Sequence, residues 1–418
     1  RKDGKKFYVP TAQKNYRLVR TFFETQEKYR DSVFYDASAW SMANIYGIDY
    51  SSSNKNFTGD EVNSIDDLFE VNKFPKSNYA YIIDSQDYNI PAIIYNLLDN
   101  EIFTSSAFKP LSIRTSDGIK DFNYGSIIIP LSIQKKLSSD ELYKKMQKIQ
   151  KKYNVDIYSV DSGLSSSGVD LGSRNVLPLN KPRAMMLIGT GVRAYEAGEV
   201  WHLLDQRVGM PISKIPLRNL DNVSMDKYNV LVLVSGNYKL PNNQIEKIKK
   251  WAESGNTIIS VGSGSKFLID NKIVDESIVE KKESDVISYL EYGDAAENRG
   301  KEQVGGVILK SKIDLTHPLS FGYSDNSLPV YKNNSIWLKP SINEYSSVVR
   351  YSENALIDGF LSESNKKILS ESVSLVVSKI GNGIAVMFSD NPNFRGAWYG
   401  TNRLFLNAIF LGDRIYIP

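Results

Sequence analysis

Three short runs in the second half of the chain, Ala184 to Ile188, Val230 to Val234 and Thr257 to Val261, are dominated by Val, Ile, Leu, Met and Ala with almost no polar interruption. A strand with one wet face alternates apolar and polar residues, so an unbroken run needs cover on both faces. Helical spacing fills the intervals, from Arg193 to Asp205 and from Asn243 to Glu253. Strands covered twice and alternating with helices are the pattern of a doubly wound, mostly parallel α/β sheet. Val373 to Ile380 and Ile384 to Phe388, joined through Gly381-Asn382-Gly383, read as a late hairpin on that sheet. Leu404 to Leu411 reads as a final amphipathic helix ended by Gly412.

The first half alternates in the same way but more loosely. A short strand is predicted at Phe7 to Val9, a helix near Tyr16 to Gln26, a strand at Tyr79 to Ile83, a helix at Tyr88 to Leu98 and a buried strand at Gly125 to Ile129. Ser138 and Glu141 form a capping box ahead of Leu142, Met146, Ile149 and Tyr153, whose spacing leaves the intervening lysines on the solvated side. Another strand follows at Val155 to Ser159, and the polar stretch Asp161 to Lys181 reads as a linker. A chain of 418 residues is long enough for two such cores. The expectation is two α/β domains, 1–170 and 176–418.

Lys and Arg total 51 against 48 acids, a net charge of +3, which gives no basic stripe for phosphate tracking, so no nucleic acid partner is expected. Cysteine is absent, which removes disulfides, thiolate metal sites and a thiol nucleophile together. No apolar run reaches the roughly 18 to 20 residues that cross a bilayer, so no transmembrane segment is expected. Arg1 to Lys6 is charged with no apolar core behind it, and the first residue is not Met, so position 1 reads as a start inside a longer protein.

Gly189-Thr190-Gly191 follows a strand and precedes a helix, with Ala194 at the third small position of a dinucleotide fingerprint. That fingerprint needs an acid about 20 residues on to hold ribose. Ile212 to Leu217 and then Arg218 stand there, so the glycines are read as serving a tight turn. The histidines, His202 and His317, imitate a zinc site in His202-Leu203-Leu204-Asp205 plus a distant His317. His202 sits among Val200, Trp201, Leu203 and Leu204 and reads as a packing residue, while His317-Pro318 reads as a turn after Asp314. No metal is expected on this segment.

The turn after Thr257 to Val261, Gly262-Ser263-Gly264-Ser265, has the glycine-rich form of a nucleophile elbow. A hydrolase working through Ser263 needs an imidazole base with an acid behind it, and neither histidine follows a strand that ends at this edge. Asp390-Asn391-Pro392-Asn393-Phe394-Arg395, with Trp398, Tyr399 and Asn402 behind, falls at the same carboxyl edge, where open α/β sheets bind ligands. The same residues also suit a loop that caps the following helix. No catalytic residue is assigned; the candidate ligand-binding set is Gly262, Ser263, Ser265, Asn391, Asn393, Arg395 and Trp398.

Five blocks in order, Tyr8-Val9-Pro10-Thr11-Ala12-Gln13, Phe34-Tyr35-Asp36-Ala37-Ser38-Ala39-Trp40, Ala197 to Asp205, Asp314-Leu315-Thr316-His317-Pro318-Leu319 and Asp390 to Arg395, resemble the region that follows the peptidase domain in zinc carboxypeptidase-like proteins of the Bacteroidetes type. The resemblance implies a secreted, periplasmic or cell-surface parent whose zinc sits in a preceding peptidase domain, the expected partner of this segment. The second domain also resembles class I glutamine amidotransferase-like folds of flavodoxin-like type. By that resemblance the Cys of the family's G-x-C-x-G elbow falls on Gly262 and its H-P-E on Asn391-Pro392-Asn393, so nucleophile, base and acid are all replaced. Asparagine cannot take a proton from a nucleophile, and glycine has none to give. The resulting expectation is a non-catalytic accessory region supporting the peptidase domain or binding another partner. A ligand- or glycan-binding module at the carboxyl edge and a serine hydrolase using Ser263 stand as alternatives.

Overall fold

The two apolar patterns resolve into two kinds of sheet. The computed structural model describes residues 6–27, 41–64, 68, 70–280, 289 and 291–418. The block Phe34 to Trp40 lies outside the described residues, as do Arg1 to Lys5. The first half contains α1 (Tyr16–Phe23), α2 (Met42–Tyr46), β1 (Ala80–Ile83), α3 (Ile90–Asp99), β2 (Ser105–Ala107), β3 (Leu111–Thr115), β4 (Gly118–Phe122), β5 (Ile127–Pro130), α4 (Ser139–Tyr153), β6 (Tyr158–Val160), β7 (Ser167–Gly168) and β8 (Val176–Pro178). The second contains β9 (Ala184–Ile188), α5 (Ala194–Trp201), β10 (Ser213–Pro216), β11 (Val230–Leu233), α6 (Asn242–Glu253), β12 (Thr257–Val261) and α7 (Ser263–Asp270). It continues through α8 (Ala295–Lys301), β13 (Val307–Ile313), β14 (Ser327–Lys332), β15 (Ser347–Asp358), α9 (Glu363–Ser370), β16 (Val373–Ile380), β17 (Gly383–Phe388) and α10 (Tyr399–Leu411).

The large sheet runs β10-β9-β11-β12-β17-β16-β15-β13-β14. Its first five strands are mutually parallel. In chain order those five run 2-1-3-4-5, the doubly wound flavodoxin-like arrangement. The remaining four add antiparallel, beginning with the predicted hairpin of β16 on β17. Alternate residues of the parallel strands feed different cores. Met186, Val230, Val232, Ile259, Val261 and Val386 join one cluster, which also holds residues of α5 and α10. Met185, Leu187, Leu231, Leu233, Ile258 and Met387 join another, under α6 and α7. Cover on both faces is why these strands carry no polar alternation.

The small sheet, β6-β1-β5-β2-β8, is antiparallel throughout, beside a three-stranded sheet β4-β3-β7. Tyr81, Ile83, Ile127 and Ile129 face the same core as Met186 and Val232, so one apolar mass runs under both sheets. Ser138 and Glu141 form the predicted capping box at the start of α4.

Several local expectations are corrected. Phe7 to Val9 is not a strand; it is exposed, and three residues without a partner strand cannot make a ladder. The stretch 161–181 supplies β7 and β8, which pair with β3 and β2, while Val169, Leu171 and Val176 pack in the same cluster as Leu111 and Ala107. The last helix is not amphipathic, since Gly400 through Leu411 are all buried. Among the described residues no helix is long and apolar enough to cross a membrane.

Candidate functional site

At the carboxyl end of β12 the chain turns at Gly262 with φ 53° and ψ −119° before entering α7. That is the sharp strand-to-helix turn of an elbow, in a backbone region glycine reaches without a Cβ penalty. A Cβ here would stand 2.5 Å from Ser235 Oγ and 3.4 Å from Asn334 Nδ2. Neighbours therefore fill the space that any side chain at this position would need. Ser263 follows, but its Oγ accepts from Gly236 N–H at 2.8 Å and donates to Gly236 C=O at 3.1 Å. Both functions of that hydroxyl tie α7 to the loop after β11. Ser265 is fully buried, bonded to Ser260 Oγ at 2.9 Å and donating to Phe388 C=O at 3.1 Å.

Opposite the elbow, α5 brings two glutamates to the same edge, three residues apart and both buried. Glu196 Oε2 accepts from Ser235 N–H at 2.8 Å. Glu199 accepts from Asn391 Nδ2 at 2.8 Å and from Arg395 N–H at 2.6 Å. Burial pushes the Glu199 carboxyl up to about 7, against the pull of those two donors, and the nearby Glu196 charge adds to the rise. Burial raises Glu196 as well. Arg395 holds a left-handed φ of 53°, which presents its N–H to Glu199. Asn393, only 2% exposed, has neither Oδ1 nor Nδ2 hydrogen-bonded, although its N–H donates to Asn391 Oδ1 at 3.1 Å.

Behind this edge Lys332 and Asp390 form a buried pair, 3.4 Å apart. Lys332 Nζ also donates to Ile336 C=O at 2.6 Å and Ser389 Oγ at 2.8 Å, and Asp390 accepts from Tyr351 OH at 2.6 Å and Ser374 Oγ at 2.5 Å. Burial draws the Lys332 ammonium down to about 8 and the Asp390 carboxyl up. Charges taken out of water survive only when paired and hydrogen-bonded, and every partner here is internal.

Gly262, Asn391, Asn393 and the Arg395 backbone thus come together through Ser235 and the α5 glutamates. Trp398 does not join them; it is 2% exposed and packs 5.2 Å from the Tyr331 ring. Ser265 likewise belongs to the interior. Sequence reading missed Glu196, Glu199, Ser235 and Asn334. Glu196 and Glu199 carry one available signal, two acids in the first turns of a helix whose start lies at the carboxyl edge.

The glycines of the first β-α turn serve the backbone. A Cβ on Gly191 would lie 2.6 Å from Asn237 C=O, and Val192 bridges Gly236 across the switch point. The histidines occupy different surroundings. His202 opens a π-helical turn, His202–Val208, beside Gly396. His317 Nδ1 accepts from Leu319 N–H at 3.2 Å, and burial lowers its pKa to about 4. With that nitrogen already hydrogen-bonded, and no cluster of three His, Asp or Glu among the described residues, the donor set does not fit a zinc site.

No protein-family model matches the sequence, and no curated protein matches it. Solved structures similar to it include a protein assigned as a GMP synthase subunit, from Thermoplasma acidophilum, at 12% identity over 54% of this chain and 94% of that one, TM-score 0.34. A ThuA-like protein from Parabacteroides merdae aligns at 12% identity over 54% of this chain and 90% of that one, TM-score 0.34. A glutamine amidotransferase from Thermotoga maritima aligns at 11% identity over 50% of this chain and 75% of that one, TM-score 0.30. The fold class itself rests on the strand order: an α/β chain whose large sheet has a doubly wound, flavodoxin-like parallel half.

Proposed function

We propose that this chain is a non-catalytic accessory region built on a glutamine amidotransferase-like scaffold that has lost its covalent chemistry. One observation carries the reading: the elbow position is Gly262, and the space above it is occupied by Ser235 Oγ. Covalent acyl transfer needs an attacking atom at the elbow and a base within reach of its proton. Here the attacking atom is missing, and Asn391 and Asn393 stand where the resemblance would put base and acid. By the five-block resemblance, the parent is a secreted zinc carboxypeptidase-like protein of the Bacteroidetes type. In it this region would support the peptidase domain, which would carry the zinc, or bind another partner. The purified chain should show no turnover of glutamine, amides or simple esters above buffer; turnover that Ser263→Ala abolishes would restore the serine-hydrolase alternative and sink this one. In the parent, removing the region should lower the stability of the peptidase domain or change its substrate preference.

A second reading, a ligand-binding module at the carboxyl edge, is favoured by the buried, unbonded amide of Asn393. It predicts a ligand-dependent rise in melting temperature that Arg395→Ala removes.

A further inference from the structure

Tyr46 closes α2, and its ring lies parallel to that of Tyr399, with centroids 4.6 Å apart and planes at 6°. Tyr399 opens α10 and takes the Arg207 guanidinium over its ring at 4.2 Å, with Tyr88 tilted against it at 5.8 Å. Arg207 thus caps the Tyr399 ring, and its charge lies close to the Tyr88 and Tyr399 phenols. Four separate parts of the chain, α2, the loop ahead of α3, the π-helical turn and α10, thus converge on one aromatic and cationic surface. Tyr46 and Tyr88 remain 45% and 43% exposed.

Two further observations separate this cluster from ordinary surface tyrosines. Asn402, 4% exposed, donates Nδ2 to Tyr88 OH at 2.9 Å while its Oδ1 has no hydrogen-bond partner. Turning the amide over only exchanges which end is unpaired, so a buried amide is short of one polar neighbour beside the rings. Arg207 is delivered by a π-helical turn, a rare form that concentrates at functional sites.

We propose that Tyr46, Tyr88, Arg207, Tyr399 and Asn402 form a saccharide-binding site that shares no residue with the elbow. A pyranose presents an apolar C–H face and a rim of hydroxyls. Tyr399 is covered by Tyr46 and Arg207, so the half-exposed Tyr46 ring is the one offered to the face, with the Tyr88 phenol, the Arg207 guanidinium and the Asn402 amide in the same cluster for the rim. Single-stranded nucleic acid also stacks on tyrosines, but it needs a positive groove along its backbone. With 51 basic residues against 48 acidic ones the chain supplies no such field.

The test is calorimetric titration of the full chain with cello-, xylo-, manno- and galacturono-oligosaccharides, and with oligo-dT. At least one saccharide should bind, and Tyr46→Ala should weaken it by about tenfold or more, equivalent to the loss of one stacking contact. Tyr46→Trp should retain binding, and Tyr195→Ala, which alters a tyrosine 91% exposed on α5, should leave it unchanged. Thermal melts establish that each variant is folded; if Tyr46→Ala is not, Tyr88→Ala replaces it. The proposal is overturned if no saccharide binds, if Tyr46→Ala and Tyr88→Ala both bind like the parent chain, or if oligo-dT binds more tightly than every saccharide. Its failure would leave the non-catalytic reading of the elbow standing.

Discussion

Glu199 sits under two opposed demands, since two N–H donors favour its charge and burial opposes it. In the unfolded chain such a carboxyl ionises near 4.5, and in the folded chain at about 7. Between those values the folded state keeps a proton that the unfolded state has released. The contribution is therefore fully present below about 4.5 and is lost as pH rises through about 7. The whole span is on the order of 3 kcal/mol. Glu196 and Asp390 are shifted in the same direction and add to the slope. Glu199→Gln places a neutral acceptor in the same position, so the fall in stability between about pH 5 and about pH 8 should shrink by roughly 2 to 3 kcal/mol. Urea unfolding at both pH values measures it. An unchanged slope would assign the dependence to the other buried carboxyls.

Among the elements, the β12–α7 turn is held in a backbone conformation that any side chain would strain. Gly262 holds a positive φ, and a Cβ there would meet Ser235 Oγ. Gly262→Ala should therefore cost about 2 to 4 kcal/mol, part backbone strain and part overpacking. Ser235 Oγ makes only a long bond to Val261 C=O, 3.4 Å, so Ser235→Ala alone should cost under about 1 kcal/mol. The double variant should recover at least about 1 kcal/mol of the Gly262→Ala loss, read as the coupling term of a double-mutant cycle. Purely additive losses would put the strain in the backbone alone. The turn also shows what sequence patterning could reach. β9 and β12 match their predicted runs to the residue because double cover leaves no polar alternation to blur their ends, and β16 matches as well, its end set by the Gly381-Asn382-Gly383 turn although it carries Ser374, Ser378 and an exposed Lys379. The elbow was legible from its glycines, and the Ser138–Glu141 cap from its spacing. The two short strands within 161–181 were not, since each is held by a partner strand more than fifty residues away in the chain. Nor were the links from Glu199 to Asn391 and Arg395, which span nearly two hundred residues and exist only once the sheet has formed.

At the scale of the molecule, the two sheets are joined by more than their common apolar core. Arg403 is 8% exposed on α10 and reaches across to the loop after β1, donating to Ser85 C=O at 2.8 Å and Asp87 C=O at 3.0 Å. Its Nε donates to Asn407 Oδ1 at 3.1 Å, and Asn407 in turn donates to the carbonyls of Leu319 and Phe321. Gly322 leaves room for it, since a Cβ there would fall 2.7 Å from the guanidinium. Burial pulls the Arg403 pKa down to about 10, which leaves it charged near neutrality, so this cation is solvated by carbonyl dipoles in place of water. Arg403→Met keeps much of the volume but strands two buried carbonyls and the Asn407 amide, at about 1 to 3 kcal/mol for each group left unmade. The expected result is a loss of about 3 kcal/mol or more, concentrated in the junction. A single calorimetric transition should broaden or split, and the loop between Ser85 and Asn89 should become sensitive to protease before the large sheet does. Arg403→Lys should recover only part of this, because an ammonium lacks the planar fork that spans two carbonyls and an amide together. If Arg403→Met instead melts in one transition at an unchanged temperature, the shared core alone couples the sheets, and the arginine is a passenger in their interface.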